Sequence, residues 1–259
     1  MSNQTLSAAR AATPQPPLAG QVAVVTGAGR GIGRAIALGY AQAGAAVVCA
    51  ARTTAEIVET VAALEQAGGQ GVAITADVAH QPAVEQLFRQ AAAHFGGIDI
   101  VVVNAGVSLD RQTVAESVPA DWRATIEINL FGAYYCAKAA LPYLQARGGG
   151  KIILLGSGMG HRGSAGSSAY ACSKAGLWML TRVLAQELWQ DQISVNELIP
   201  GPVDTAMTAG AGARSGPAFT TGSEWIKTPE AVVPLALFLA TQPATGPTGQ
   251  SFSLMRRDL

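Results

Sequence analysis

Val22-Ala-Val-Val-Thr-Gly-Ala-Gly-Arg-Gly-Ile-Gly33 joins a short apolar run to a turn with a glycine at every second position. From Ile32 to Ala43 apolar residues then recur at helical spacing. Glycines let a backbone turn tightly and approach a pyrophosphate, whose charge is stabilised at the N-terminus of the following helix. A glycine-rich turn is weak evidence alone and strong evidence between a first strand and a helix. Further β-branched runs follow at Ala46–Ala50, Gly71–Ala76, Ile98–Val103, Lys151–Leu155, Ile193–Ile199 and Gln250–Leu254. Helical stretches lie between them, near Pro82–Phe95, Pro119–Ala146, Ser168–Gln190 and Pro229–Ala240. Thr53 and Glu56, three apart, have the form of a capping box opening one more helix before Ala67. This alternation predicts an α/β protein whose parallel sheet of about seven strands carries helices on both faces. The strands are continuously apolar, as a sheet covered on both sides requires. Ligands of such sheets bind beyond the carboxyl ends of the strands, so the residues after each strand are where chemistry is expected.

The bulk numbers exclude several functions. The 259 residues carry 17 basic and 17 acidic side chains, 13% charged in all, which leaves no electrostatic footprint for nucleic acid or an anionic membrane. No apolar run approaches the ~18 residues of a membrane span. Cys49, Cys136 and Cys172 are odd in number, widely spaced and set in apolar stretches, which fits buried reduced thiols in a cytoplasmic protein. His80, His94 and His161 show no metal-ligand spacing, so no metal is expected. Residues 1–19, with one arginine and no acid, read as a flexible arm, and residues 20–259 as one domain.

A second stretch holds the candidate chemistry. Tyr170 and Lys174 stand four apart on one face of a predicted helix, and Ser157 follows a predicted strand. A free tyrosine ionises near pH ~10, and an ammonium within ~4–6 Å favours its phenolate. Acid–base exchange works best when the pKa lies near the working pH. Tyr170 is therefore the candidate to give a proton to a carbonyl oxygen or take one from an alcohol.

Gly27-x-x-x-Gly31-x-Gly33, Asp77-Val78, Asn104-Ala105-Gly106, Asn129, Ser157, Tyr170, Lys174 and Pro200-Gly201-Pro202-Val203-Asp204-Thr205 follow one another in the order and spacing of a known family. From Leu18 onward the chain resembles the short-chain dehydrogenase/reductases, with a Rossmann fold and a Tyr-x-x-x-Lys active site. Val103 departs from that family's pattern, standing where a second asparagine is common. The resemblance implies a nicotinamide cofactor held by Gly27, Gly29, Arg30, Gly31, Ile32, Gly33, Asp77, Val78, Asn104, Ala105 and Gly106. Tyr170, Lys174, Pro200, Gly201, Val203 and Thr205 complete that set. It also implies that Ser157 holds the substrate oxygen, Lys174 bonds the nicotinamide ribose and Asn129 fixes a water that links Lys174 to solvent. Met159 is expected to line the pocket, and residues 206–225 to be a substrate lid. Paired helices around 119–146 and 168–190, apolar over much of their circumference, are expected to bury each other in a dimer or tetramer. The ending Ser253-Leu-Met-Arg-Arg-Asp-Leu259 departs from the frequent Asp-Gly-Gly ending of the family.

The second predicted strand decides the cofactor. Ala51 occupies the place where an acid would bind the ribose 2′-hydroxyl of NAD, and Arg52 follows it. A guanidinium grips a phosphate through paired donors, so NADP(H) is expected in preference to NAD(H). Arg30 can reach the same phosphate. Thr53 either adds its hydroxyl or caps the next helix. His161 and Arg162 either read a polar or acidic substrate group or are solvated loop residues.

The expected activity is hydride transfer between NADP(H) and a carbonyl/alcohol pair: an oxoacyl thioester, a sugar or polyol, or a small cyclic ketone. The rival readings are a cofactor-binding regulator without turnover, and a dehydratase or epimerase that uses the tyrosine without net redox change.

Overall fold

The computed structural model describes residues 15–209 and 224–255. The first half runs β1 (Val22–Thr26), α1 (Gly31–Gln42), β2 (Ala46–Ala51), α2 (Thr54–Gln66), β3 (Gln70–Thr75), α3 (Gln81–Phe95), β4 (Ile100–Val103) and α4 (Pro119–Ile126). The second runs α5 (Gly132–Ala146), β5 (Gly150–Leu155), α6 (Gly158–Arg162), α7 (Ser168–Leu188), β6 (Ile193–Ile199), α8 (Ala206–Ala209), α9 (Val233–Thr241) and β7 (Ser251–Ser253). All seven strands are parallel in the order β3-β2-β1-β4-β5-β6-β7. The order reverses between β1 and β4, which opens a crevice at their carboxyl ends.

Alternation along the strands divides the core. Val24, Val48, Val101 and Ile152 point to one face and pack with Leu87, Phe88, Leu144 and Leu184. Ala23, Val25, Val47, Val102 and Ile153 point to the other and pack with Ile36, Tyr40, Ile57 and Leu239. β1, β4 and β6 are buried throughout, whereas the edge strands β3 and β7 are partly open.

Several expectations need correction. The Ile98–Val103 run forms a strand only from Ile100, after Gly96 in the left-handed region, although the Asp99 backbone already bonds Val22 O and Lys151 N–H at 2.9 Å. The Asp99 carboxylate accepts Val22 N–H at 2.8 Å and Arg147 Nε at 2.8 Å, tying the strand's entrance to two neighbours. The stretch 119–146 is not one α-helix: a π turn, Glu127–Phe131, separates α4 from α5 and contains Asn129. The capping box does not form. Thr53 is the N-cap of α2 without a side-chain bond, and Glu56 leans toward Arg30 at 3.6 Å instead of back over the helix end. Cys49 and Cys136 are buried, their thiol pKa pushed up to about 12 by burial, but Cys172 is exposed. Position 172 lies midway between Tyr170 and Lys174 in a helix and so faces the opposite way.

Leu18, assigned to the arm in the sequence reading, is wholly buried, and its N–H bonds Ala43 O at 2.9 Å. The packed chain therefore begins before Gly20. The rest of the arm (1–14), most of the expected lid (210–223) and the atypical end (256–259) lie outside the described residues. Among the described residues, no helix is long and apolar enough to cross a membrane.

Truncating Leu18 to alanine removes a side chain with no exposed surface. Urea denaturation of Leu18→Ala is expected to show a loss of about 2 kcal/mol or more. A change under about 0.5 kcal/mol would return Leu18 to the arm.

Candidate active site

The nucleotide end is built where β1 and β4 finish. Asn104 Nδ2 donates to Thr26 O at 2.9 Å and Gly27 O at 3.2 Å, while Thr26 Oγ1 accepts the N–H groups of Asn104 and Ala105 at 3.0 and 3.1 Å. A methyl group on Gly33 would meet Gly27 O at 2.3 Å and Asn104 Nδ2 at 2.4 Å, so only glycine fits. Gly27 and Gly31 hold φ of 66° and 56°, the left-handed region that favours glycine. The turn then delivers its chain into α1 at Gly31–Ile32, whose first N–H groups have no partners within the helix. Thr205 stands across the crevice, its Cγ2 within 3.3 Å of where a Gly31 side chain would begin.

At the end of β2, Arg52 is exposed, and no hydrogen bond or ion pair engages it among the described residues. Arg30, 71% exposed, has Glu56 at 3.6 Å. Glu56 also covers Gly29, where a methyl group would meet its Cβ at 2.7 Å and Oε2 at 2.8 Å. A carboxylate at the rim of the crevice is something the sequence reading missed. After β3, Asp77 Oδ1 accepts Ala79 N–H at 3.0 Å and so shapes its own turn, while Val78 is buried against Gly132. In the loop after β6, Gly201 holds φ 68°, Val203 is buried, and Thr205 N–H bonds Thr208 Oγ1 at 2.9 Å.

The chemical end gathers on β5, α6 and α7. Ser157 leaves β5 in extended conformation and caps α6, its Oγ accepting Met159 N–H at 3.2 Å. Its hydroxyl also faces Tyr170. Burial raises the Tyr170 pKa, while the Ser157 hydroxyl and the nearby positive charge of Arg111 lower it. Lys174 is 5% exposed, with Nζ 2.6 Å from Leu155 O and 5.8 Å from the centre of the Tyr170 ring. Burial lowers its pKa to about 8, with Glu197 pulling the other way. Asn129 is buried beside this group. Its Oδ1 accepts Val107 N–H at 2.8 Å, and its Nδ2 donates to Val107 O at 2.9 Å and Ser173 Oγ at 3.0 Å. It thus ties the segment after β4 to the residue next to Lys174.

The structure brings Asn129, Ser157, Tyr170 and Lys174 together. Met159 is half-buried in α6, and Arg162 is exposed at the end of that helix. His161 turns inward: its Nε2 lies 3.0 Å from Glu197 Oε2, and its ring packs on Trp178 at 5.1 Å. Sequence reasoning missed two charged residues here. Glu197 was visible as the one acid in an apolar strand. Arg111, whose Nη2 reaches Met207 O at 2.7 Å across the cleft mouth, had no sequence signal.

The geometry agrees with comparisons to known proteins. Residues 21–215 match the short chain dehydrogenase family. The chain belongs to that family. It is 36% identical to a 3-oxoacyl-[acyl-carrier-protein] reductase of Synechocystis sp., over 92% of this chain and 96% of that one. It is 40% identical to the cis-4-hydroxycyclohexanecarboxylate dehydrogenase of Sinomonas cyclohexanicum, over 87% of this chain and 91% of the other. A Beutenbergia cavernae structure assigned as an NAD(P) dependent gluconate 5-dehydrogenase, with NADP bound at low occupancy, superposes with a TM-score of 0.85. That pair is 36% identical over 92% of this chain and 96% of that one. As a short chain dehydrogenase, the protein is an oxidoreductase acting on alcohol or ketone groups and uses a nicotinamide cofactor.

Lys174 also makes a stability prediction. Its pKa falls from 10.5 in the unfolded chain to about 8 on folding, so the folded state binds fewer protons between those values. The destabilisation is therefore complete below about pH 8 and fades as pH rises toward about 10.5. Lys174→Met is expected to gain up to about 3 kcal/mol at pH 7, less whatever the freed Leu155 carbonyl costs. The gain should disappear above pH ~10.5 in urea melts taken across that range. A variant less stable than wild type at pH 7 would contradict the burial argument.

Proposed function

We propose that the protein transfers hydride between NADP(H) and a carbonyl or secondary alcohol, with Tyr170 as general acid and base. The observation that carries this reading is the Tyr170 ring with Ser157 beside it and the buried Lys174 Nζ 5.8 Å from its centre, at the carboxyl end of the sheet. The Gly27–Gly33 cradle, too tight for a Cβ at Gly33, fits a pyrophosphate lying against backbone N–H groups and the N-terminus of α1. Asp77, Val78, Asn104, Ala105 and Gly106 would flank the adenosine and ribose side, and Pro200, Gly201, Val203 and Thr205 the nicotinamide side. The bound cofactor supplies or accepts the hydride.

In reduction, Ser157 Oγ donates a hydrogen bond to the carbonyl oxygen, where negative charge develops. Tyr170 passes its phenolic proton to that oxygen, and in oxidation the phenolate takes the proton back. Lys174 stabilises the phenolate and bonds the nicotinamide ribose. Asn129, holding Val107 and Ser173, sets the path by which a water restores the proton through Lys174.

NADP(H) in preference to NAD(H) is supported by Ala51 at the end of β2 and by the unengaged, exposed Arg52 beside it. For the substrate, the relatives named above point to oxoacyl, hydroxycyclohexanecarboxylate and polyol-acid substrates. A small ketone or hydroxyl compound of that kind fits this chain best. The free cysteines support a reducing compartment such as the cytoplasm. The outward faces of the helix pair leave Phe131 at 48%, Tyr134 at 41%, Met179 at 49% and Val183 at 42% exposure, which supports a homo-oligomer built through α5 and α7.

NADPH consumption against a panel of oxoacyl thioesters, cyclic ketones and keto-sugars, repeated with NADH, tests the reading. Turnover is expected with at least one class, and Tyr170→Phe should remove it while leaving NADPH affinity within about threefold. NADPH binding with no turnover in either direction would favour a regulatory protein instead. Arg52→Ala should weaken NADPH at least about tenfold and leave NADH nearly unchanged. An equal loss for both would rule out a 2′-phosphate contact.

A further inference from the structure

Glu197 is fully buried in β6, between Leu154 of β5 and Ser251 of β7. A carboxylate there needs compensation from hydrogen bonds or opposite charge. One oxygen, Oε2, is held by His161 Nε2 at 3.0 Å and Ser251 Oγ at 2.5 Å. Since a carboxylate only accepts, both groups donate to it. The other oxygen, Oε1, is buried with no hydrogen-bond partner. It lies against Gly156, where a methyl group would overlap Oε1, Cδ and Cγ of Glu197, all within 2.5 Å.

Gly156 separates two groups of the active site. Leu155 before it offers the carbonyl that Lys174 Nζ bonds, and Ser157 after it faces Tyr170. Glu197 thus lies flat under the turn that joins the lysine's anchor to the serine. Through His161, three residues into the helix that Ser157 caps, it also grips α6 from beneath. His161 is held on its other side by the Trp178 ring, from the same helix as Lys174.

We propose that Glu197 is a positioning residue of the active site: it anchors α6 and Ser157 through His161 and presents the negative charge that Lys174 faces. This rests on the oxidoreductase reading of Tyr170 and Lys174. The elements packed around α7 carry Asp121 and Arg123 on α4, Glu127 on the π turn, and His161 and Arg162 on α6, while Arg111 faces Tyr170 from the loop after β4. Among these groups and Glu197, only Glu197 moves Lys174, and it favours the ammonium against the effect of burial. Neutralising it at constant shape should therefore let Lys174 lose its proton at lower pH.

The chain has four lysines, Lys138, Lys151, Lys174 and Lys227, so ¹³Cε-lysine labelling gives a resolvable NMR titration in which Lys174→Met identifies the signal. In wild type the Lys174 midpoint is expected near pH 8. In Glu197→Gln it should fall below that value, with kcat at pH 8 down about tenfold and the NADPH dissociation constant within about threefold. Glu197→Asp should recover the midpoint in part. His161→Gln, which keeps the carboxylate, should lower kcat about tenfold yet leave the Lys174 midpoint in place. It also supplies the test should Glu197→Gln not fold. An unchanged Lys174 midpoint in folded Glu197→Gln, or an unchanged kcat in His161→Gln, would overturn the proposal. The titration needs no substrate, so it separates failure of this role from failure of the oxidoreductase reading.

Discussion

The carboxyl ends of β1 and β4 are locked by four hydrogen bonds between Thr26–Gly27 and Asn104–Ala105, and the site is arranged around that lock. Thr26 Oγ1 accepts two N–H groups and donates toward Val102 O at 3.4 Å, so a wholly buried hydroxyl is used to capacity. The lock stands where the strand order reverses. It holds open the crevice between two halves of the sheet. It also dictates composition, because Gly27 and Gly33 lie where any side chain would collide with the Asn104 amide. Val103 does not disturb it. Its side chain belongs to the core on one face of the sheet, so the departure from the family's usual second asparagine leaves the lock intact.

At the other end the governing constraint is charge in a confined space. Lys174 is almost without solvent, and its ammonium has one carbonyl, Leu155 O, as its hydrogen-bond partner. A lysine in a fully apolar surround loses its proton, and one in open water ionises near its usual value. Lys174 is held between these limits, near pH 8. That poise is made by two opposed effects, burial and the charge of Glu197. A site tuned by opposing terms gives up stability that an apolar residue would supply, a trade common at active sites.

The frame was legible in the sequence because it depends on local chemistry. Continuous apolar runs mark strands buried on both faces, and the seven runs match the seven strands to within one or two residues at most ends. The tetrad was legible because its spacing is set by helix geometry and by the family's order of elements. What escaped is what spacing does not encode. The π turn at Glu127–Phe131 keeps an apolar rhythm close to that of an α-helix, so it reads as one. α6 is a single turn, Gly158–Arg162, with two glycines and no periodicity, yet its formation turns His161 inward rather than out to a ligand. Glu56 reads as half of a capping box and folds over Gly29 instead, since Thr53 enters the helix without a side-chain bond.

Glu56 also changes how the two arginines of the nucleotide crevice should be weighed. By sequence, Arg52 beside Ala51 is the informative partner for a 2′-phosphate, and Arg30 can reach the same group. In the fold, Arg30 has a carboxylate at 3.6 Å, whereas Arg52 has no such neighbour among the described residues. An exposed pair at that distance is worth under about 1 kcal/mol, so Arg30 can still turn to a ligand. What matters more is that the Glu56 charge sits beside the path of any anion that Arg30 would bind, and opposes it. Arg52 extends from the end of β2 without that opposition, next to an alanine that carries no charge. Under the proposed preference for NADP(H), discrimination would therefore rest chiefly on one guanidinium, with Arg30 and Glu56 opposing each other as a pair. Removing Glu56 alone would free Arg30 to join Arg52 toward an anion in the crevice.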